Sequence, residues 1–250
     1  MVPCWSAAYD RRHRDLTEGS ARHEELDTAK NGRTRRSYLM RAPGGLSARD
    51  TIRALTRSER DTVAINLNLA APPSDDDILV LSSRNPGFKF ERSAAGELIV
   101  TPGSSATGRR EAVLVAQLGR WAEVQGRGVV FGPSAGFRLP DGSLFSPDAA
   151  WMPEERWTAL TPEQRDSFAP LCPDVVFEVA SKSDTQNALR TKMLAYLANG
   201  ARLAVLIDPQ RRAVEIYEAG ADPRILEHVA SVSLDPALAG FTLYLGSIFS

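Results

Sequence analysis

The chain has 250 residues, 43% of them hydrophobic and 24% charged, with a formal net charge of −1. That balance is ordinary for a soluble globular protein and allows a sizeable core. No apolar run is long enough to span a membrane. Cys4 and Cys172, with three scattered histidines (His13, His23, His228), make no metal-ligand spacing, which argues against a zinc centre.

In chain order, residues 1–61 are polar, lack sustained periodicity and are broken at Pro43, Gly44 and Gly45. They predict a poorly ordered extension, with one short helix over residues 46–60 capped by Ser47. The extension is basic: the first 60 residues hold 13 Lys and Arg against 8 Asp and Glu. Its start, MVPCWSAAYDRRHRDL, has no continuous apolar segment, so a cytoplasmic protein is expected. A folded domain is expected over residues 62–250.

APPSDDDILVLSSRNPG suggests a Ser74-capped helical stretch between two turns, and the core reads more clearly from Phe88. FKFERSAAGELIVTP predicts a β-hairpin around a turn containing Gly96. TGRREAVLVAQLGRWAEVQG places Val113, Leu114, Leu118 and Trp121 at helical spacing. Strands follow at 128–131, 136–139 and 143–151, with Asp141-Gly142 as a turn. A short helical insertion precedes the strand PDVVFEVAS. Asp184 is expected to cap the next helix, which Asn199-Gly200 ends. ARLAVLIDP reads as a buried strand, AVEIYEAG alternates apolar and polar residues, and the tail adds one or two strands. This order predicts an α/β fold: a mixed central sheet with helices packed on it.

Two of these strands carry acids among apolar residues. Alternation puts Asp174, Val176, Glu178 and Ala180 on one face of PDVVFEVAS. A carboxylate there needs a partner, since isolated buried charges are costly. If SPDAAW is a neighbouring strand, Asp148 converges on Glu178. In the following helix Lys192 shares a stripe with Ala188 and Tyr196, beside the apolar stripe of Leu189, Met193 and Leu197. Its stem can stay covered while its ammonium reaches the acids. Carboxylates with a lysine suit a hard cation such as Mg²⁺. They equally suit a buried salt bridge that binds nothing, and the pattern alone leaves both open. Tyr196 is assigned mainly to packing.

SPDAAW, CPDVVFEVASKSD and LRTKMLAYLANGARLAVLIDPQRRAVEIYEAG, taken together and in this order, resemble the Uma-type restriction endonucleases, a bacterial branch of the PD-(D/E)XK nucleases. The likeness runs from about Val63 to Glu218, with no counterpart for residues 1–61, which could be a genuine arm or an upstream start. It implies a restriction-endonuclease-like core that hydrolyses DNA with Mg²⁺ or Mn²⁺, with a homodimer allowed. Its first acid falls on Asp148 and its second on Glu178. An additional metal-holding acid falls on Glu91, with Glu97 a weaker candidate that also suits a turn. Ala180 stands where the superfamily has its lysine, so the resemblance assigns that role to Lys192, with Lys182 second. Gln186 could line the site but is expected to face solvent. Arg109, Arg110, Arg120, Arg127 and Arg190 could supply a local DNA-binding patch. The rival reading is a noncatalytic binding module on a nuclease-like fold.

Overall fold

The computed structural model describes residues 64–126 and 128–250. All of them belong to one unit of the chain, spanning Ala48–Ser250. The expected N-terminal extension, its Ser47-capped helix, Cys4 and Arg127 lie outside the described residues.

The core is a six-stranded mixed sheet. In spatial order its strands are β11 (Arg224–Glu227), β10 (Ala213–Glu218), β9 (Leu203–Asp208), β8 (Val175–Val179), β7 (Ala149–Met152) and β4 (Val129–Phe131). Only β8 and β9 pair in parallel. The helix between them, α5 (Gln186–Ala198), makes the crossover that parallel neighbours require. β8 and β9 are buried throughout, so they read as nearly unbroken apolar runs.

Helix α2 (Ser105–Gln125) covers one face, burying Leu114, Leu118 and Ala122 against Phe177, Val179, Val205 and Ile207. Leu243, Leu245 and Ile248 from the chain's end fold into the same cluster. Helix α5 covers the other face, packing Leu189, Met193 and Tyr196 on Val176, Ala204 and Leu206. The faces of β8 therefore divide as its alternation predicts.

The expected hairpin forms as β2 (Phe88–Arg92) and β3 (Leu98–Pro102). It does not join the central sheet. With β1 (Ile65–Leu67), β6 (Leu144–Phe145) and β5 (Phe137–Arg138) it builds a second, antiparallel sheet. Phe90, Leu98, Val100 and Leu144 pack there against Ile78 and Leu81 of α1 (Asp75–Arg84). Ser74 caps α1 with a reciprocal bond to Asp77.

Three expectations are corrected. The strand over 143–151 is two strands in different sheets, β6 and β7, interrupted at Ser146-Pro147-Asp148. Pro147 has no N–H to give a ladder. Helix α5 is capped by Thr185, whose hydroxyl accepts from the Ala188 N–H; Asp184 instead accepts both the N–H and the hydroxyl of Ser181. In β10, Glu215 is buried despite the alternating pattern. The insertion forms two short helices, α3 (Glu154–Thr158) and α4 (Pro162–Arg165), and the tail adds β11 and the pair β12 (Ser231–Ser233) and β13 (Thr242–Tyr244).

Candidate active site

The break between β6 and β7 is where the two sheets meet, and the site is built around it. Antiparallel pairing sets Ala149 opposite Phe177, and the Asp148 N–H donates to the Phe177 carbonyl. Asp148 and Glu178 are thus neighbours across two strands, on the face that α5 covers. One oxygen of Asp148 accepts the Val179 N–H at 2.8 Å. From the second sheet, β2 presents Lys89 and Glu91, two residues apart and so on one face.

Two lysines serve three buried acids. Lys192 lies 2.7 Å from Glu178 Oε1, and 2.9 and 3.1 Å from the two oxygens of Glu91. Its ammonium also sits near the rings of Phe145 and Tyr196. Lys89 lies 2.5 Å from Asp148 Oδ1 and donates to the Ser146 carbonyl at 3.0 Å. Ser146 closes the arrangement from the other side, giving its N–H to Glu91 Oε1 at 2.7 Å. Asp148, Glu178 and Glu91 are each only 4% exposed, so each needs the partners it has.

The groups expected from sequence therefore converge: Asp148, Glu178, Glu91 and Lys192 share one cluster. Three participants were not foreseen. Tyr196 does pack, but its hydroxyl also donates to Glu178 Oε1 at 2.9 Å. Lys89 is one of only four lysines in an arginine-rich chain and shares a strand face with Glu91, which is the signal that could have found it. Glu111 of α2 lies close enough to Asp148 for the two carboxyl groups to interact. It stands three and seven residues before Leu114 and Leu118, a carboxylate on the apolar stripe of its helix.

The electrostatics divide these acids. Burial would raise the carboxyl of Asp148, but Lys89 and the Val179 N–H outweigh it and hold the group below the usual range. Burial, reinforced by Asp148 and Glu91 and opposed by Lys192 and Lys89, pushes Glu178 up to about 7. Burial and then the charge of Asp148 push Glu111 up to about 7 as well. Burial works against both ammonium groups, yet the neighbouring acids prevail and both lysines stay charged, with raised pKa values. Lys192 is thus held as a positive charge by the acids around it.

Glu215 provides a contrast within the same fold. It is a buried strand glutamate too, but it accepts from Arg190 at 2.6 and 2.9 Å, from Arg211 at 2.9 Å and from the Tyr217 hydroxyl at 2.6 Å. Burial would raise its carboxyl, but these bonds bring it down to about 2. Glu215 is a neutralised structural acid; Glu178 is an acid left short of positive charge.

Among the described residues no three His, Cys, Asp or Glu side chains stand close enough to hold a metal ion together. Glu91, expected as a third ligand, is engaged by Lys192 and Ser146. Asp148 and Glu178 are the pair that could share one ion, because Mg²⁺ takes one or two carboxylates and keeps several waters.

The remaining candidates lie elsewhere. Asp174 is paired with Arg156. Glu97 bonds Ser93 across the hairpin turn, as a turn residue does. Gln186, expected to face solvent, bonds Asp208. Lys182 is exposed in the loop before α5. The anticipated arginine patch is largely committed: Arg109 and Arg110 bond carbonyls of Ser247, Ser250 and Ile248, and Arg190 holds Glu215. Arg120 is exposed.

Two sheets, with acids and lysines at the break between them, make up this mixed α/β fold. The same fold occurs in a structure titled a putative nuclease belonging to DUF820 from Anabaena variabilis. It matches with a TM-score of 0.58 at 18% identity, over 71% of this chain and 98% of the other. Residues 75–246 match the Uma2 family model, described as "Putative restriction endonuclease", and the chain belongs to that family. Comparison with curated proteins finds no match.

Proposed function

We propose that the protein is a metal-dependent endonuclease that hydrolyses DNA phosphodiester bonds. The observation that carries this reading is the charge imbalance at the strand break. Among the described residues, Asp148, Glu178, Glu91 and Glu111 face two cations, Lys89 and Lys192, and two of the four acids are pushed up to about 7. A structural cluster gains nothing from such a deficit, as the matched Glu215 cluster in the same molecule illustrates. A divalent cation would remove it.

The donor set is all oxygen and fits Mg²⁺ or Mn²⁺, with Asp148 and Glu178 as the holding residues. Such an ion, when bound, polarises a phosphoryl group and lowers the pKa of a water. The chain's own groups do the rest. Asp148, kept ionised, fixes the position of negative charge at the end of β7. Glu178, raised to about 7 in the metal-free protein, would be ionised by the charge of the cation it holds. Lys192, held charged by Glu91 and Glu178, places a fixed positive charge where a phosphate oxygen would gain negative charge. Glu91 positions Lys192, and Tyr196 orients Glu178.

The test is nicking of supercoiled plasmid with Mn²⁺ or Mg²⁺. Wild type and Lys182→Ala should cleave, while Asp148→Asn and Lys192→Ala should lose about a hundredfold or more, as expected when a transition-state charge partner is removed. Retained cleavage by Asp148→Asn, or loss confined to Lys182→Ala, would place the chemistry elsewhere. A noncatalytic module would show no cleavage in any form.

A further inference from the structure

The two lysines of the site are held very differently. Lys192 is fixed by two acids through three contacts, and its side chain is 13% exposed. Lys89 has one acid and one carbonyl, its side chain is 22% exposed, and its neighbour Phe88 is exposed. Its four-carbon stem leaves it free to re-aim. It also sits on Asp148, one of the two residues best placed to hold a metal. A divalent ion held by Asp148 and Glu178 would face the Lys89 ammonium as a like charge at close range, and the two would repel.

We propose that Lys89 is the exchangeable counter-ion of Asp148: its ammonium covers Asp148 in the metal-free protein and swings outward when a divalent cation enters. This role rests on the metal-dependent reading above. Asp148 does not collapse when Lys89 leaves, because the Val179 N–H still holds its other oxygen. The exchange replaces a single positive charge bonded to Asp148 with a doubly charged ion held by both Asp148 and Glu178. The released ammonium stays on β2 at the mouth of the site, where the chemistry it suits is a phosphate oxygen of the incoming DNA strand.

The experiment uses the full chain with Mn²⁺ as the probe. Calorimetry compares wild type with Lys89→Met, which keeps the stem without the charge, and with Lys89→Arg, which keeps the charge. Lys89→Met should bind Mn²⁺ about tenfold more tightly or better, since nothing need be displaced, and should cleave DNA less well. A purely structural lysine does not move these two readouts in opposite directions. Lys89→Arg should stay close to wild type in Mn²⁺ affinity. In wild type itself, an amine-reactive label read by peptide mapping should reach Lys89 faster with Mn²⁺, while Lys192 stays protected; this arm needs no variant to fold. Mn²⁺ binding by Lys89→Met alone supports the exchange in its strongest form. Binding by wild type with no gain in Lys89→Met and no rise in Lys89 labelling overturns the exchange and leaves the metal reading standing. Absence of Mn²⁺ binding in all three proteins overturns both.

Discussion

Glu178→Gln separates the two possible natures of the strand glutamate. The substitution keeps the shape and removes the charge. A lysine stranded by loss of its partner would cost about 3–5 kcal/mol. Lys192 is not stranded, because Glu91 still meets it at 2.9 and 3.1 Å. The Tyr196 hydroxyl can still donate to the amide oxygen. Near pH 5 the loss should therefore be small, within about 1 kcal/mol, the worth of an ordinary hydrogen bond. The effect should then change with pH. Glu178's folded-state carboxyl is raised from 4.5 to about 7. A group raised on folding contributes stability below its unfolded value and loses that contribution as pH rises through its folded value. The shift sets an upper bound of about 3 kcal/mol, at 1.36 kcal/mol for each pKa unit. Glutamine has no such dependence. Relative to wild type, Glu178→Gln should gain about 1–3 kcal/mol between about pH 5 and about pH 8. Urea melts of the metal-free proteins across that range measure it. Saturating Mn²⁺ should raise the wild-type melt, as any ligand of the native state does, and leave the variant nearly unmoved. A constant loss of several kcal/mol at every pH, with no Mn²⁺ effect on either protein, would refute the reasoning and make the pair with Lys192 structural.

Glu215→Ala should behave in the opposite way, losing about 3–5 kcal/mol because it leaves Arg190, Arg211 and Tyr217 without their shared acceptor; Mn²⁺ affinity should not change, and urea melts with calorimetry check both. Because Glu215's carboxyl is held down at about 2, its contribution is present above its ordinary 4.5 and is lost as pH falls toward 2, which acid titration of wild type against Glu215→Ala would follow. A fragment of residues 62–250 should unfold in one cooperative thermal transition, and loss of that cooperativity relative to the full chain would show the domain boundary to be misplaced.

The sequence by itself determined the elements that local chemistry controls. Alternation in PDVVFEVAS assigned Glu178 and Val176 to one face and Phe177 to the other, because side chains in a strand have no other choice. The Ser74 cap and the hairpin turn at Gly96 were legible for the same local reason. So was Lys192, because a helix fixes which residues border its apolar stripe. The central acids and the lysine were readable because a charge among apolar residues advertises that it must be paired. Tertiary structure decided who pairs with whom. Arg211 is four residues from Glu215, but nothing local says that Arg190, 25 positions away, will join it, or that Glu178 will share its lysine with Glu91. The single strand read over 143–151 contains Pro147, but only the placement of β6 and β7 in different sheets makes that break the meeting point of Glu91, Lys89 and Asp148. Lys89 reaches Asp148 across 59 positions of sequence. Such pairings are set by how sheets and helices pack, and local pattern carries no record of them.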